Sequence, residues 1–185
     1  RYLDEFYQEG YRKIDTATNY PINKDSSLFR VAENILDEWI QINHIEDIEI
    51  IIKVGSLDNS GSAYNNLTKS FLLMTYDYYS GKFGSNLSNF MIHWDNRNSE
   101  KVIRETCEAL KIINDKGNNI GLSGIKHPHV YHKISKELGL VYTIETKHNV
   151  FSSGLFHYQV FCGRNSFIGY GVNCGGIKFG RRYRE

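Results

Sequence analysis

The stretch that decides the fold is "YRKIDTATNYPINKD", Tyr11 to Asp25. It begins as a short strand, "RKIDTA", with Ile14 between polar residues and small residues after it. Asp15 stands where that strand runs out, and Tyr20 follows five positions later on the loop. A carboxylate and a phenol at a strand end call for partners from elsewhere in the chain.

Those partners come from an alternation of strands and helices. "YLDEFYQE" reads as a helix stopped by Gly10. "SSLFRVAENILDEWI" has apolar residues at Leu28, Val31, Ile35 and Trp39, a helical period. "IEIIIKV", Ile48 to Val54, is apolar and β-branched until Lys53, as a buried strand requires. "NNLTKSFLLMTYDYYS" reads as helix and "NFMIHW" as a strand ending near His93. "SEKVIRETCEALKIINDKG" is an amphipathic helix with Ser99 as its cap and Gly117 as its stop. "NIGLSG" is a strand, and "HPHVYHKISKELG" a helix that begins at Pro128 and ends at Gly139. "LVYTIET" and "SFIGYG" complete the strands. About six alternations predict a parallel sheet with helices outside it.

Composition narrows the function classes. The chain has 185 residues, 41% of them hydrophobic, which is enough for one core. Its 22 basic and 21 acidic residues leave a net charge of +1, so no field draws nucleic acid or an anionic membrane. No apolar run approaches the roughly 18 residues of a membrane span. Cys107, Cys162 and Cys174 lack metal-ligand spacing; they fit buried thiols in a reducing, cytoplasmic compartment, and no metal site is expected. The glycine fingerprints of dinucleotide-binding sheets and of phosphate-binding loops are absent. A closed barrel of eight strands is the other main parallel solution; it usually takes about 250 residues, more than this chain has, and its active groups sit where the strands end.

On such a barrel Asp15, Lys53, His93 and Tyr20 meet at one mouth. A nearby ammonium lowers a phenol's pKa from about 10. Lys53, oriented by Asp15, would tune Tyr20 in that way. A histidine positions a carbonyl oxygen, and the set makes a general acid for it.

The same residues carry a family resemblance. "GYRKIDTATNY" resembles the aldo-keto reductase motif G-[YF]-R-x-[IF]-D-T-A-x-x-Y. "IIIKVG" is similar to the family's lysine strand, and "FMIHWDN" to its I-H-W-P segment, with Asp95 in place of proline. "TCEALKIINDKGNNIGLSG" and "FIGYGVNCGGIKFG" resemble two later segments. The resemblance implies an α/β fold, the (β/α)8 TIM barrel. About six of its eight strand-helix units are expected here, in one domain over residues 1–185 without the first strand and the C-terminal portion. It implies an NADP(H)-dependent oxidoreductase that reduces an aldehyde or ketone to an alcohol. Tyr20 would be the general acid, Lys53 and Asp15 its activators, and His93 the residue that orients the small-molecule carbonyl. Trp94 would line the substrate pocket with Tyr20 and His93. Asp15, Ser123, Gly124, Glu145 and Tyr170 fall at cofactor-binding positions, with Tyr170 stacking on the nicotinamide and Ser123 bonding its carboxamide. Arg181, Arg182 and Arg184 fall in the loop that covers the pyrophosphate. Two departures stand out: Gly124 replaces an amide side chain, and Glu145 replaces a glutamine. They keep open two other readings, a non-catalytic or cofactor-sensing aldo-keto reductase-like subunit and a redox-neutral lyase or isomerase built on the same tetrad.

Overall fold

A computed structural model describes residues 1–174. Helix α1 (Tyr2–Gln8) precedes strand β1 (Lys13–Ala17), and α2 (Val31–Asn43) precedes β2 (Glu49–Val54). Then come α3 (Lys69–Phe83), β3 (Leu87–Asp95), α4 (Glu100–Asp115) and β4 (Asn119–Ile125). Helix α5 (Pro128–Leu138) leads to β5 (Thr143–Asn149). A two-residue strand β6 (Ser152–Ser153) turns back on β5, and a 3-10 segment (Leu155–Phe161) leads to β7 (Ser166–Tyr170).

Among the described residues six strands lie parallel in chain order, β1-β2-β3-β4-β5-β7, and the short β6 pairs antiparallel with β5. Each new strand joins beside the last, so the sheet winds in one direction and curls, as in a partial (β/α)8 barrel. This is the expected fold class.

Side chains alternate across a strand, and the register sorts them into two faces. Ile50, Ile52, Val54, Phe90, Ile92, Ile120, Leu122 and Ile144 point to the helices and form one core with Leu110, Ile113 and Ile134 from α4 and α5. Asp15, Lys53, Met91, His93, Ser123 and Glu145 point to the barrel interior, because Lys53 pairs with Met91, His93 with Ser123 and Ser123 with Glu145. Gly121 leaves its place to its neighbours: a Cβ there would lie 2.6 Å from Met91 Cγ and from the Thr143 carbonyl oxygen. Asn89 therefore reaches across β4 and donates from Nδ2 to Thr143 Oγ1 at 3.0 Å.

Several local expectations change. In α2 the inward stripe is Glu33, Leu36 and Ile40, whereas Ile35 is exposed. The cause is a buried knot: Glu33 binds Arg30 at 2.6 Å and accepts from the Tyr79 hydroxyl. Ser99 stands at the N-cap of α4 without a side-chain capping bond. Only Cys107 of the three free cysteines is buried; Cys162 is exposed and Cys174 intermediate. Among the described residues no helix is long and apolar enough to cross a membrane, and no group of three or more His, Cys, Asp or Glu side chains is placed to hold a metal ion. Arg181, Arg182 and Arg184 lie outside the described residues.

Candidate active site

Asp15 does not close its strand. It sits in the middle of β1 and is partly open to solvent, and two further residues carry the chain to the barrel mouth. There a set of backbone bonds fixes the loop that bears Tyr20. Thr18 N donates to Lys53 O at 3.0 Å, Tyr20 N to Ala17 O at 3.1 Å, and Arg30 N to Thr18 O at 3.1 Å. The start of α2 thereby holds the loop against β2.

Lys53, 1% exposed, projects from β2 into the interior. Its ammonium donates to Asp15 Oδ2 and to both carboxylate oxygens of Glu145, at 3.0 and 3.1 Å. Burial works against its charge, but Glu145 and Asp15 outweigh it and raise the lysine pKa, so Lys53 stays protonated. Its Nζ lies 5.2 Å from the centre of the Tyr20 ring, a cation-π contact. The His93 ring meets Tyr20 edge-on at 6.1 Å between centroids. Asp15, Tyr20, Lys53 and His93 thus converge from β1, its following loop, β2 and β3.

Electrostatics revise one expectation. Burial raises the Tyr20 pKa; Lys53 opposes this but does not reverse it, and Asp15 and Glu145 push the same way as burial. The lysine limits the rise rather than producing an acidic phenol. Burial also pushes His93 down to about 3, helped by the Lys53 charge, so the imidazole is neutral. Its Nδ1 is buried without a hydrogen-bond partner among the described residues.

Trp94 forms one wall. It is half-buried, stacks at a tilt on His93 with centroids 4.4 Å apart, and has a left-handed backbone with φ of 59°. Two anchors hold that strained turn. Asn65 Nδ2 donates to Trp94 O at 2.6 Å. Asp95, fully buried, accepts from Arg97 Nε at 2.9 Å, from its guanidinium NH2 at 2.8 Å and from the Tyr131 hydroxyl at 2.6 Å. Aspartate at this position therefore ties the β3 end to α5. The glycine at 124 has a matching cause. A Cβ there would lie 2.4 Å from Trp94 Cδ1, and φ is 68°, so the indole occupies the space a side chain would need.

The cofactor-position residues line up on neighbouring strands. Ser123 pairs with Glu145, Glu145 with Ile168, and Tyr170 lies two residues beyond Ile168. Ser123 and Glu145 are buried, and Tyr170 is 46% exposed. Sequence reasoning missed that Glu145 binds Lys53, and it missed Asn19. Asn19 is fully buried beside Tyr20, with neither side-chain polar atom bonded among the described residues. Position next to Tyr20 was the available signal. Tyr158 is structural: its hydroxyl accepts from Ile125 N at 2.7 Å, below the mouth's β4 corner. A separate cavity of about 320 Å³, between α3 and the start of α2, contains none of the four converging residues.

The aldo/keto reductase family model matches residues 1–160. The chain belongs to the aldo/keto reductase family. Solved structures agree on the fold. One provisionally assigned as 2,5-diketo-D-gluconic acid reductase B superposes with a TM-score of 0.69 at 18% identity, over 94% of this chain and 57% of that one. An aldo-keto reductase enzyme from a Medee basin deep-sea metagenome library gives 0.63 at 17% identity, over 89% and 56%. A protein provisionally assigned as an aldo-keto reductase from Pseudomonas aeruginosa gives 0.64 at 16% identity, over 89% and 62%. This aldo/keto reductase chain therefore spans less than two thirds of each of those structures. No curated protein matches its sequence.

Proposed function

We propose that the protein is an NADP(H)-dependent oxidoreductase that reduces an aldehyde or ketone to an alcohol. The observation that carries this reading is the buried Lys53 ammonium, held by Asp15 and facing the Tyr20 ring, with neutral His93 at the same mouth.

The residues fit a nicotinamide. Tyr170 presents a half-open ring, Ser123 offers a hydroxyl, and Glu145 can accept from a carboxamide NH2 group. Gly124 contributes no donor, and Trp94 fills the space beside it. When bound, reduced nicotinamide supplies a hydride. The chain's own groups do the rest. Tyr20 gives its hydroxyl proton to the carbonyl oxygen as charge develops there. Lys53 lies close enough to stabilise the phenolate that Tyr20 becomes. His93 is neutral, so it orients the carbonyl by hydrogen bonding rather than by charge. Trp94 and the Tyr20 ring give the substrate an apolar wall.

The test is turnover and binding by the full-length protein. NADPH should bind saturably, followed by nicotinamide fluorescence, and support reduction of members of an aldehyde and ketone panel. Tyr20→Phe should bind NADPH as the unaltered protein does and lose reduction. Full activity in that variant would remove Tyr20 from the acid role.

A further inference from the structure

Asp15 and Glu145 share one cation. Lys53 is the only positive group within ion-pair distance of either carboxylate among the described residues. The three charges therefore sum to one negative charge in excess. Solvent reaches Asp15, whose side chain is 36% exposed, but Glu145 is 5% exposed and Lys53 1%. His93 offers no counter-charge, being neutral. A buried carboxylate that shares its one cation with a second carboxylate is costly, and the cost falls when another positive charge enters beside it.

Glu145 occupies a definite place. It lies on the interior face of β5 beside Ser123 of β4, with Tyr170 of β7 just above. In the reading proposed above, on which this inference rests, those two residues flank the nicotinamide. The oxidised ring carries a positive charge that the reduced ring lacks. The two cofactor forms are otherwise alike in charge.

We infer that Glu145 is an electrostatic partner for the oxidised nicotinamide ring, so that the site binds NADP+ more tightly than NADPH. A residual charge at short range in a buried site is worth about tenfold in this preference. For a two-electron couple, tenfold tighter binding of the oxidised form lowers the potential of the bound couple by about 30 mV. The bound cofactor becomes a stronger reductant, and its oxidised form leaves more slowly. A glutamine at this position would keep an acceptor for Lys53 and remove the charge.

The experiment measures dissociation constants of NADP+ and NADPH for the full-length protein and for Glu145→Gln, by calorimetry at pH 7.5. The unaltered protein should favour NADP+ by about tenfold. In Glu145→Gln that ratio should fall to near one, whatever happens to the absolute affinities. Equal or tighter NADPH binding by the unaltered protein overturns the inference without any variant. A ratio that survives Glu145→Gln also overturns it, and either result leaves the reductase reading standing. Failure of both cofactor forms to bind removes the reductase reading itself, and this inference with it.

Discussion

Adjacent residues of the same strands meet opposite surroundings. On β2, Ile50 and Ile52 enter the core beneath the helices, whereas Ile51 and Lys53 face the interior of the curl. On β3, Phe90 and Ile92 belong to the core, and Met91 and His93 face inward. The outer face is a continuous apolar layer, interchangeable in chemistry though not in volume. The inner face carries Asp15, Lys53, His93, Ser123 and Glu145: Asp15 and Glu145 share the Lys53 ammonium, and His93 Nδ1 has no bond among the described residues. The first face forms the packed core, and the second carries the residues to which the proposed chemistry is assigned. A parallel sheet needs both because its outer face is roofed by helices while its inner face is closed only on itself.

Four substitutions would break or sharpen that contrast. Tyr20→Phe should cut carbonyl reduction by about 10²–10⁴-fold, the usual contribution of a general acid. Its denaturant midpoint should match the unaltered protein, since Tyr20 lies outside the core cluster. Phe90→Ala is the mirror case. It should cost about 3–5 kcal/mol in denaturant unfolding, because the ring is fully buried between sheet and helices. If Phe90→Ala remained as stable as the parent, the outer face would not be the source of stability.

His93→Gln probes an inner residue through pH. The folded pKa of about 3 lies below the ordinary 6.5, so folding disfavours the charged form. Stability from this group is complete above pH 6.5 and is lost as pH falls toward 3. Between pH 7 and pH 5 the parent should lose about 2 kcal/mol that His93→Gln does not lose. Asp15 and Glu145, raised by burial, act in the opposite sense in both proteins, so the difference between the two isolates His93. Equal pH profiles would contradict the neutral, buried imidazole. The smallest effect belongs to Tyr158→Phe, which removes the hydroxyl bonded to Ile125 N and should cost about 1 kcal/mol in unfolding, with reduction rates unchanged.

The outer face was legible because it is local. "IEIIIKV" and "NFMIHW" announce buried strands, and Gly117 and Gly139 end the helices where the pattern says. The convergence of Asp15, Tyr20, Lys53 and His93 was legible through the family motif around Tyr20 and through the late positions of Lys53 and His93 on their strands, although Asp15 lies in mid-strand. What escaped depends on distance across the curl. Glu145 meets Lys53 over 92 residues, with β3 and β4 between their strands, and no local pattern encodes that meeting. The phase of α2 escaped for a related reason. Glu33 faces inward because Arg30 and, from α3, Tyr79 and Lys82 receive it. The glycine at 124 reads as a lost amide in the sequence. In the structure it is room for the Trp94 indole.

We propose that the inner-face cluster directs hydride from a nicotinamide to a carbonyl. It is tested most directly by giving the full-length protein NADPH deuterated at the transferable C4 position, together with an aldehyde it consumes. The expected product is an alcohol carrying one deuterium on the former carbonyl carbon, formed at least about 100-fold more slowly with Tyr20→Phe. Aldehyde consumed with no deuterium in the product would contradict it.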